Sequence, residues 1–280
     1  MHYVEFGGGL GDVINQCYLE GNYVSLDGIE RKTTILLSCH HKFAQEIFTQ
    51  HPKHVLFDLL DIRYCGYPPL PDGLDRDETF RRLVAAGHTV LPPARTPPAA
   101  DVVFYPSHAD EPLLRALPPH FIALQPFSGT SDRDLPADIV KDIDDFAARA
   151  GVPLVVIGRN YERPGKLTRE EFTGSRAVVN YIDRLSAPGS IELVKRSSLF
   201  IGGHSAMTYP AWHNRVPNYI LFPKDHGIIY FRPGELHQYS FGRDYPETRI
   251  DFYSDFSVDK IAQLLALPKP TCRTDATCSD

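Results

Sequence analysis

Short apolar runs of strand length alternate with longer segments of helical period along almost the whole chain, and this alternation is the strongest constraint on its fold. HYVEF (2–6), TTILLSC (33–39), HVLFDLL (54–60) and DVVFYP (101–106) are the strand candidates of the first half. Helical segments are expected between them at 13–24, 42–51 and 77–87. The second half restarts with FIALQPF (121–127) and continues through LVVIG (154–158), AVVNYI (177–182), SLFIG (198–202) and NYILF (218–222). Its helices are expected at 136–150, 190–196, 206–214 and 258–267; the first has Pro136 in its opening turn and Gly151 just past its end. Strands that alternate with helices must pair in parallel, because each crossover carries the chain back to the same sheet edge. The expected class is therefore α/β.

At 280 residues the chain is long enough for two such units. Proline clusters at 67–73 and 91–98 read as surface loops, since proline donates no ladder hydrogen bond. ALPPHF (116–121) is the candidate linker, giving units at 1–116 and 117–267 and a polar tail at 268–280. The aromatic, His- and Gly-rich stretch 224–256 has no assignable period.

A net charge of -6 gives no basic footprint for stable nucleic-acid binding. No apolar run reaches the ~18 residues a membrane span requires, and the N-terminus has no signal-like basic and apolar regions. A soluble, cytoplasmic protein is expected. Five scattered cysteines with no C-x-x-C pair fit a reducing compartment. Cys39-His40-His41 lacks a second cluster at zinc-site spacing, so no metal site is expected.

Three polar loops stand where strands should end. In FGGGLGDVINQCYLEG (6–21) a glycine loop joins the first strand to the first helix, and the missing Cβ atoms at Gly8, Gly9 and Gly11 permit close approach. The dinucleotide fingerprint fails because Asp12 stands where its third glycine belongs. A carboxylate in a first helical turn is held as an anion by the helix dipole, so Asp12 reads either as a plain cap or as a general base. The second loop, QPFSGTSDRDLP (125–136), offers Ser128, Gly129, Thr130 and Arg133. The third, FIGGHSAMTYPAW (200–212), places Gly203, His204, Ser205, Thr208 and Tyr209 at a strand end opening a helix, with Trp212 a pocket-lining candidate. Hydroxyls, N–H groups and one cation suit a diphosphate.

FGGGLGDVINQCY, IALQPFSGTSDRDLP, LVVIGRNYE and the run from NYIDRLSAPGS to NYILF together resemble the heptosyltransferase-like glycosyltransferases of the GT-B fold, in order over most of residues 1–223. The resemblance implies two doubly wound Rossmann-like units facing a central cleft, with Asp12 as the general base. It also implies a nucleotide-sugar co-substrate, no other cofactor, and Glu162 or Arg159 near the nucleoside. Its partners would be a nucleotide-sugar donor and an acceptor carbohydrate or other hydroxyl-bearing molecule. One departure bears on the donor. Where that family carries Asp-Ser/Thr-Gly and then His, this chain has His204-Ser205-Ala206 and Tyr209, so heptose is not carried over. A non-catalytic nucleotide- or carbohydrate-binding protein, a fucosyltransferase-like enzyme and a sugar-nucleotide epimerase stand as alternatives.

Overall fold

A computed structural model describes residues 2–8, 10–19, 33–39, 46–49, 85, 89–91, 102, 104–128, 133–159, 178–224 and 246–267. The expected segments 54–60, most of 77–87 and the tail 268–280 lie outside these residues. So do the candidate site residues Gly9, Gly129, Thr130 and Glu162.

Two all-parallel sheets form the frame. In the first, β1 (His2–Gly8) lies between β2 (Thr33–Cys39) and β3 (Thr89–Leu91), with Val4 opposite Ile35 on one side and Leu91 on the other. Helix α1 (Leu10–Leu19) follows β1, and the single turn α2 (Glu46–Thr49) follows β2. The second sheet has six strands in the order β6-β5-β4-β7-β8-β9. They are β4 (Ile122–Gln125), β5 (Leu154–Val156), β6 (Val178–Asn180), β7 (Leu199–Gly203), β8 (Asn218–Phe222) and β9 (Thr248–Phe252).

The central strands of this sheet are buried along their whole length, as a parallel sheet covered on both faces must be. Ile122, Leu124, Leu154, Val156, Leu199 and Ile201 point to one face. There α4 (Ala137–Ala150) lays down Ile139, Val140, Ile143 and Ala147, and α7 (Val258–Leu265) adds Ile261 and Leu264. Each of the larger side chains contributes about 1.5–3 kcal/mol by leaving water. Gly151 stops α4 in the left-handed region at φ 65°, its N–H donating to the carbonyls of Ala147 and Ala148.

Ala123, Val155 and Phe200 point the other way, to α5 (Ala187–Arg196), α6 (Thr208–His213) and α3 (Glu111–Arg115). The same apolar cluster takes in Val13, Ile14, Cys17 and Tyr18 of α1 and Ile47 of α2. The helices that follow β1 and β2 thus share a core with the second sheet.

Several elements differ from the sequence expectations. Residues 102 and 104–106 are not strand; Val102 and Phe104 are buried because they join the cluster beneath α1. Helix α5 begins at Ala187, before Pro188 and Gly189, because Ser186 caps it by accepting from the Gly189 N–H. Strand β9 and the 3-10 turn Tyr253–Asp255 fall in the stretch that had no readable period. Among the described residues no helix is long and apolar enough to cross a membrane.

Candidate functional site

In each sheet one strand has neighbours that follow it on opposite sides. They are β1 between β2 and β3, and β4 between β5 and β7. Loops leaving such a strand diverge to opposite faces and open a crevice at the carboxyl ends, the usual ligand position in open α/β sheets. The expected glycine loop is shorter than the sequence suggests: β1 runs through Gly7 and Gly8 and α1 already begins at Leu10, so Asp12 stands in the helix after β1, while Ser128 and Arg133 follow β4 and His204–Ser205 leave β7. Two of the three polar loops therefore begin at a crevice strand, and the third at the neighbour of one.

The glycine pair ending β7 is explained by the loop that follows β4. A Cβ on Gly203 would run into the carbonyl oxygen of Arg133, and one on Gly202 would stand 3.1 Å from the carbonyl oxygen of Gln125. The backbone at Arg133 thus lies against the end of β7, an approach that a side chain at Gly203 would block. Arg133 is held in place from the same side, its Nη1 donating to the His204 carbonyl at 3.2 Å. The Ser128 N–H donates to the Asp134 carboxylate at 2.8 Å.

Beyond β7 the turn is tied by its own hydroxyls. Ser205 donates through Oγ to Oε1 of the buried Gln125 at 2.6 Å and through its N–H to Thr208 Oγ1 at 3.2 Å; Thr208 in turn donates to the Gly203 carbonyl at 3.4 Å. Thr208 is fully buried, so it holds the turn, while Ser205 and His204 are only half-buried.

Asp12 lies in the first turn of α1 and is exposed. The neighbouring glycine faces the second sheet's helices: a Cβ on Gly11 would be 3.0 Å from Cε2 of Tyr209 and 3.3 Å from the Cα of Ala206. The room left by Gly11 is filled by Tyr209, so α1 and the start of α6 approach closely. Burial pushes the Tyr209 phenol up to about 12; the Asp12 carboxylate adds to this rise and the Arg133 guanidinium opposes it. Tyr209 therefore lies within the field of both charges and stays neutral. Its ring also meets the edge of His204, with centroids 6.3 Å apart. Tyr209 thus has the Asp12 and Arg133 charges and the His204 ring around it, and Ser205 follows His204 in the chain.

Two other candidates stand apart. Arg159, just after β5, forms an ion pair with Glu46 of α2, 3.2 Å from each carboxylate oxygen. Trp212 is 3 % exposed and packs with Ile220, Phe222 and Ile250, so it is core and not a pocket wall.

The sequence reading missed the residues that seat α1 on α6. His213 shares a 2.8 Å hydrogen bond through Nε2 with Asn15 Oδ1, and its ring stacks on Tyr18 at 4.3 Å. Burial drives its pKa down to about 3, so the ring is neutral and donates to the Asn15 carbonyl. Asn214 donates to the Tyr18 hydroxyl at 2.7 Å. Asp110, 1 % exposed, was also missed. Its carboxylate accepts from the N–H and hydroxyl of Ser107 and from the N–H and hydroxyl of Ser186, over the bare face of Gly189. Gln125 alone had a signal, as a polar residue closing an apolar strand.

No protein-family model matches the chain, and no curated protein matches its sequence. Solved structures do match in fold, and all the way along. E. coli ADP-heptose lipopolysaccharide heptosyltransferase II superposes with a TM-score of 0.57 at 10 % identity, over 95 % of this chain and 98 % of that one. A glycosyl transferase family 9 protein from Veillonella parvula superposes with a TM-score of 0.59 at 13 % identity, over 94 % and 90 %. The class defined here is an α/β protein with the fold of these glycosyltransferases. The likeness to heptosyltransferases, read first from the strand-end loops, holds at the level of the fold.

Proposed function

We propose that the chain is a glycosyltransferase that moves a sugar from a nucleotide-sugar donor to an acceptor hydroxyl, with inversion and without a metal. The observation that supports this reading is that Tyr209, beside Gly11, feels both the Asp12 carboxylate and the Arg133 guanidinium and meets His204, whose carbonyl accepts from Arg133. A carboxylate on one side and a cation with hydroxyl and N–H donors on the other is the separation of roles that such a transfer needs. Residues 1–116 would supply the acceptor side, and 117–267 the donor side.

In the proposed step, the Asp12 carboxylate takes the proton of the acceptor hydroxyl as that oxygen bonds to the anomeric carbon. The bond from that carbon to the diphosphate oxygen breaks, and its electron pair leaves on the nucleoside diphosphate. Arg133 and the donors of the Ser128 and Ser205 loops meet the charge that develops there. Gly129 and Thr130 belong to the same loop, and Glu162 would reach the nucleoside. Thr208 acts indirectly, by fixing the Ser205 turn. The acceptor would approach past Gly8 and Gly9, with Tyr209 forming the wall beside Gly11. Heptosyltransferase II acts with ADP-heptose, by its name; the His204 and Tyr209 replacements favour a different sugar here.

Thermal unfolding of the protein against a panel of ADP-, GDP-, UDP- and dTDP-sugars tests the reading. One class is expected to raise the midpoint, and Arg133→Ala to abolish that rise. No response to any of them, at concentrations where a ligand in hundredfold excess over its Kd would add about 2.7 kcal/mol, would contradict it.

A further inference from the structure

Gln125 is the last residue of β4, the strand whose neighbours β5 and β7 follow it on opposite sides. Side chains alternate along a strand. Gln125 therefore shares the face of Ala123, which packs in the cluster with α1, α5 and α6, while Ile122 and Leu124 serve the other cluster. It is a polar side chain closing an apolar strand, and it is only 9 % exposed. Two bare strand ends frame it. A Cβ on Gly202 of β7 would stand 3.3 Å from the Gln125 Cβ, and one on Gly158, just beyond β5 and at φ 132°, would stand 3.8 Å from its Cγ.

The protein uses one end of this amide. Ser205 donates through Oγ to Oε1 at 2.6 Å, and among the described residues nothing bonds to Nε2. The Ser205 hydroxyl has a single proton, and that proton is committed to Gln125, so the free hydrogens at this strand end are those of the amide nitrogen. A residue that served packing alone would be apolar, as the rest of β4 is, because a buried amide left half-paired costs about 1–3 kcal/mol.

We propose that Gln125 is a ligand-contacting residue of the donor side: its Nε2 donates to an oxygen of the nucleotide sugar, either a diphosphate oxygen or a sugar hydroxyl, and the Ser205 bond holds the amide in the orientation this requires. The assignment rests on the transferase reading above. It makes Ser205 a positioning residue for Gln125, and it places the contact at the carboxyl end of the strand where the neighbouring strands diverge.

Titration calorimetry with ADP, GDP, UDP, dTDP and their sugars tests this in a Ser205→Ala background, where the amide no longer holds that hydroxyl. Adding Gln125→Met there replaces the amide by an apolar chain of similar length, so urea unfolding should show stability equal to or above that of Ser205→Ala alone, while the ligand that binds is held more weakly. A loss shared by the free nucleoside diphosphate puts the contact on a phosphate oxygen and should be about tenfold or more; a loss confined to the nucleotide sugar puts it on the sugar and should be about threefold to tenfold. If the double variant fails to fold, Gln125→Met alone should weaken binding more than Ser205→Ala does. Equal affinity of the compared variants would overturn the assignment and leave the transferase reading standing, whereas a wild-type protein that binds no member of the panel would remove both.

Discussion

Acidification should loosen the α1–α6 contact through one side chain. The His213 ring is buried against Tyr18 and donates to Asn15, and its pKa falls from 6.5 to about 3. The unfolded chain therefore binds a proton that the folded protein refuses throughout that interval. Stability is complete above pH 6.5 and declines as pH falls towards about 3. The slope approaches about 1.4 kcal/mol per pH unit, so this group costs about 1.4 kcal/mol at pH 5.5 and about 2.7 kcal/mol at pH 4.5. His213→Gln keeps a donor for Asn15 but cannot titrate. Urea unfolding of both proteins at pH 7.5, 6.5, 5.5 and 4.5 reads the effect. The variant should be the less stable at pH 7.5, by the lost stacking on Tyr18, and should gain on the wild type by the stated amounts as pH falls. Parallel stability curves from pH 7.5 to 4.5 would refute the claim that His213 is held neutral.

Other expectations concern the scaffold of the crevice. Gly203→Ala drives a Cβ into the Arg133 carbonyl; overpacking at a buried strand end costs about 1–3 kcal/mol, and calorimetry should show it together with weakened nucleotide-sugar binding as Arg133 shifts. Asp110→Asn replaces an acceptor of four hydrogen bonds by an amide that faces donors, and should cost about 1–3 kcal/mol in urea unfolding. Ser205→Ala removes the 2.6 Å bond to Gln125 and should lower stability by about 1 kcal/mol, while donor binding weakens through the disordered turn. A Ser205→Ala protein with unchanged stability and binding would detach that residue from the site.

The parts of this arrangement that were legible in the sequence are those that local chemistry decides. Strand β2 and helix α4 match their expected ranges to within a residue, because an apolar run and a proline-to-glycine helix frame need no distant partner. Strand β3 was hidden by the prolines after Leu91, and β9 by an aromatic stretch with no period. DVVFYP imitates a strand, but its buried members serve the cluster under α1. The strand ends at β1, β4 and β7 were readable because glycines and hydroxyls there carry a local signature. Their supports were not. Glu46 meets Arg159 across 113 residues and Asn15 meets His213 across 198, and nothing near either member announces the other.

The central claim is that Asp12 acts as a base at a site that binds a sugar nucleotide elsewhere. The most direct measurement is single-turnover release of nucleoside diphosphate from the stabilising nucleotide sugar with its acceptor, for the wild type and Asp12→Asn. Asp12 is exposed, so the substitution should leave the unfolding midpoint and the donor Kd nearly unchanged while the rate falls by about 10²–10⁴-fold. Release by Asp12→Asn at the wild-type rate would contradict the account and leave Asp12 as a residue that only favours its helix.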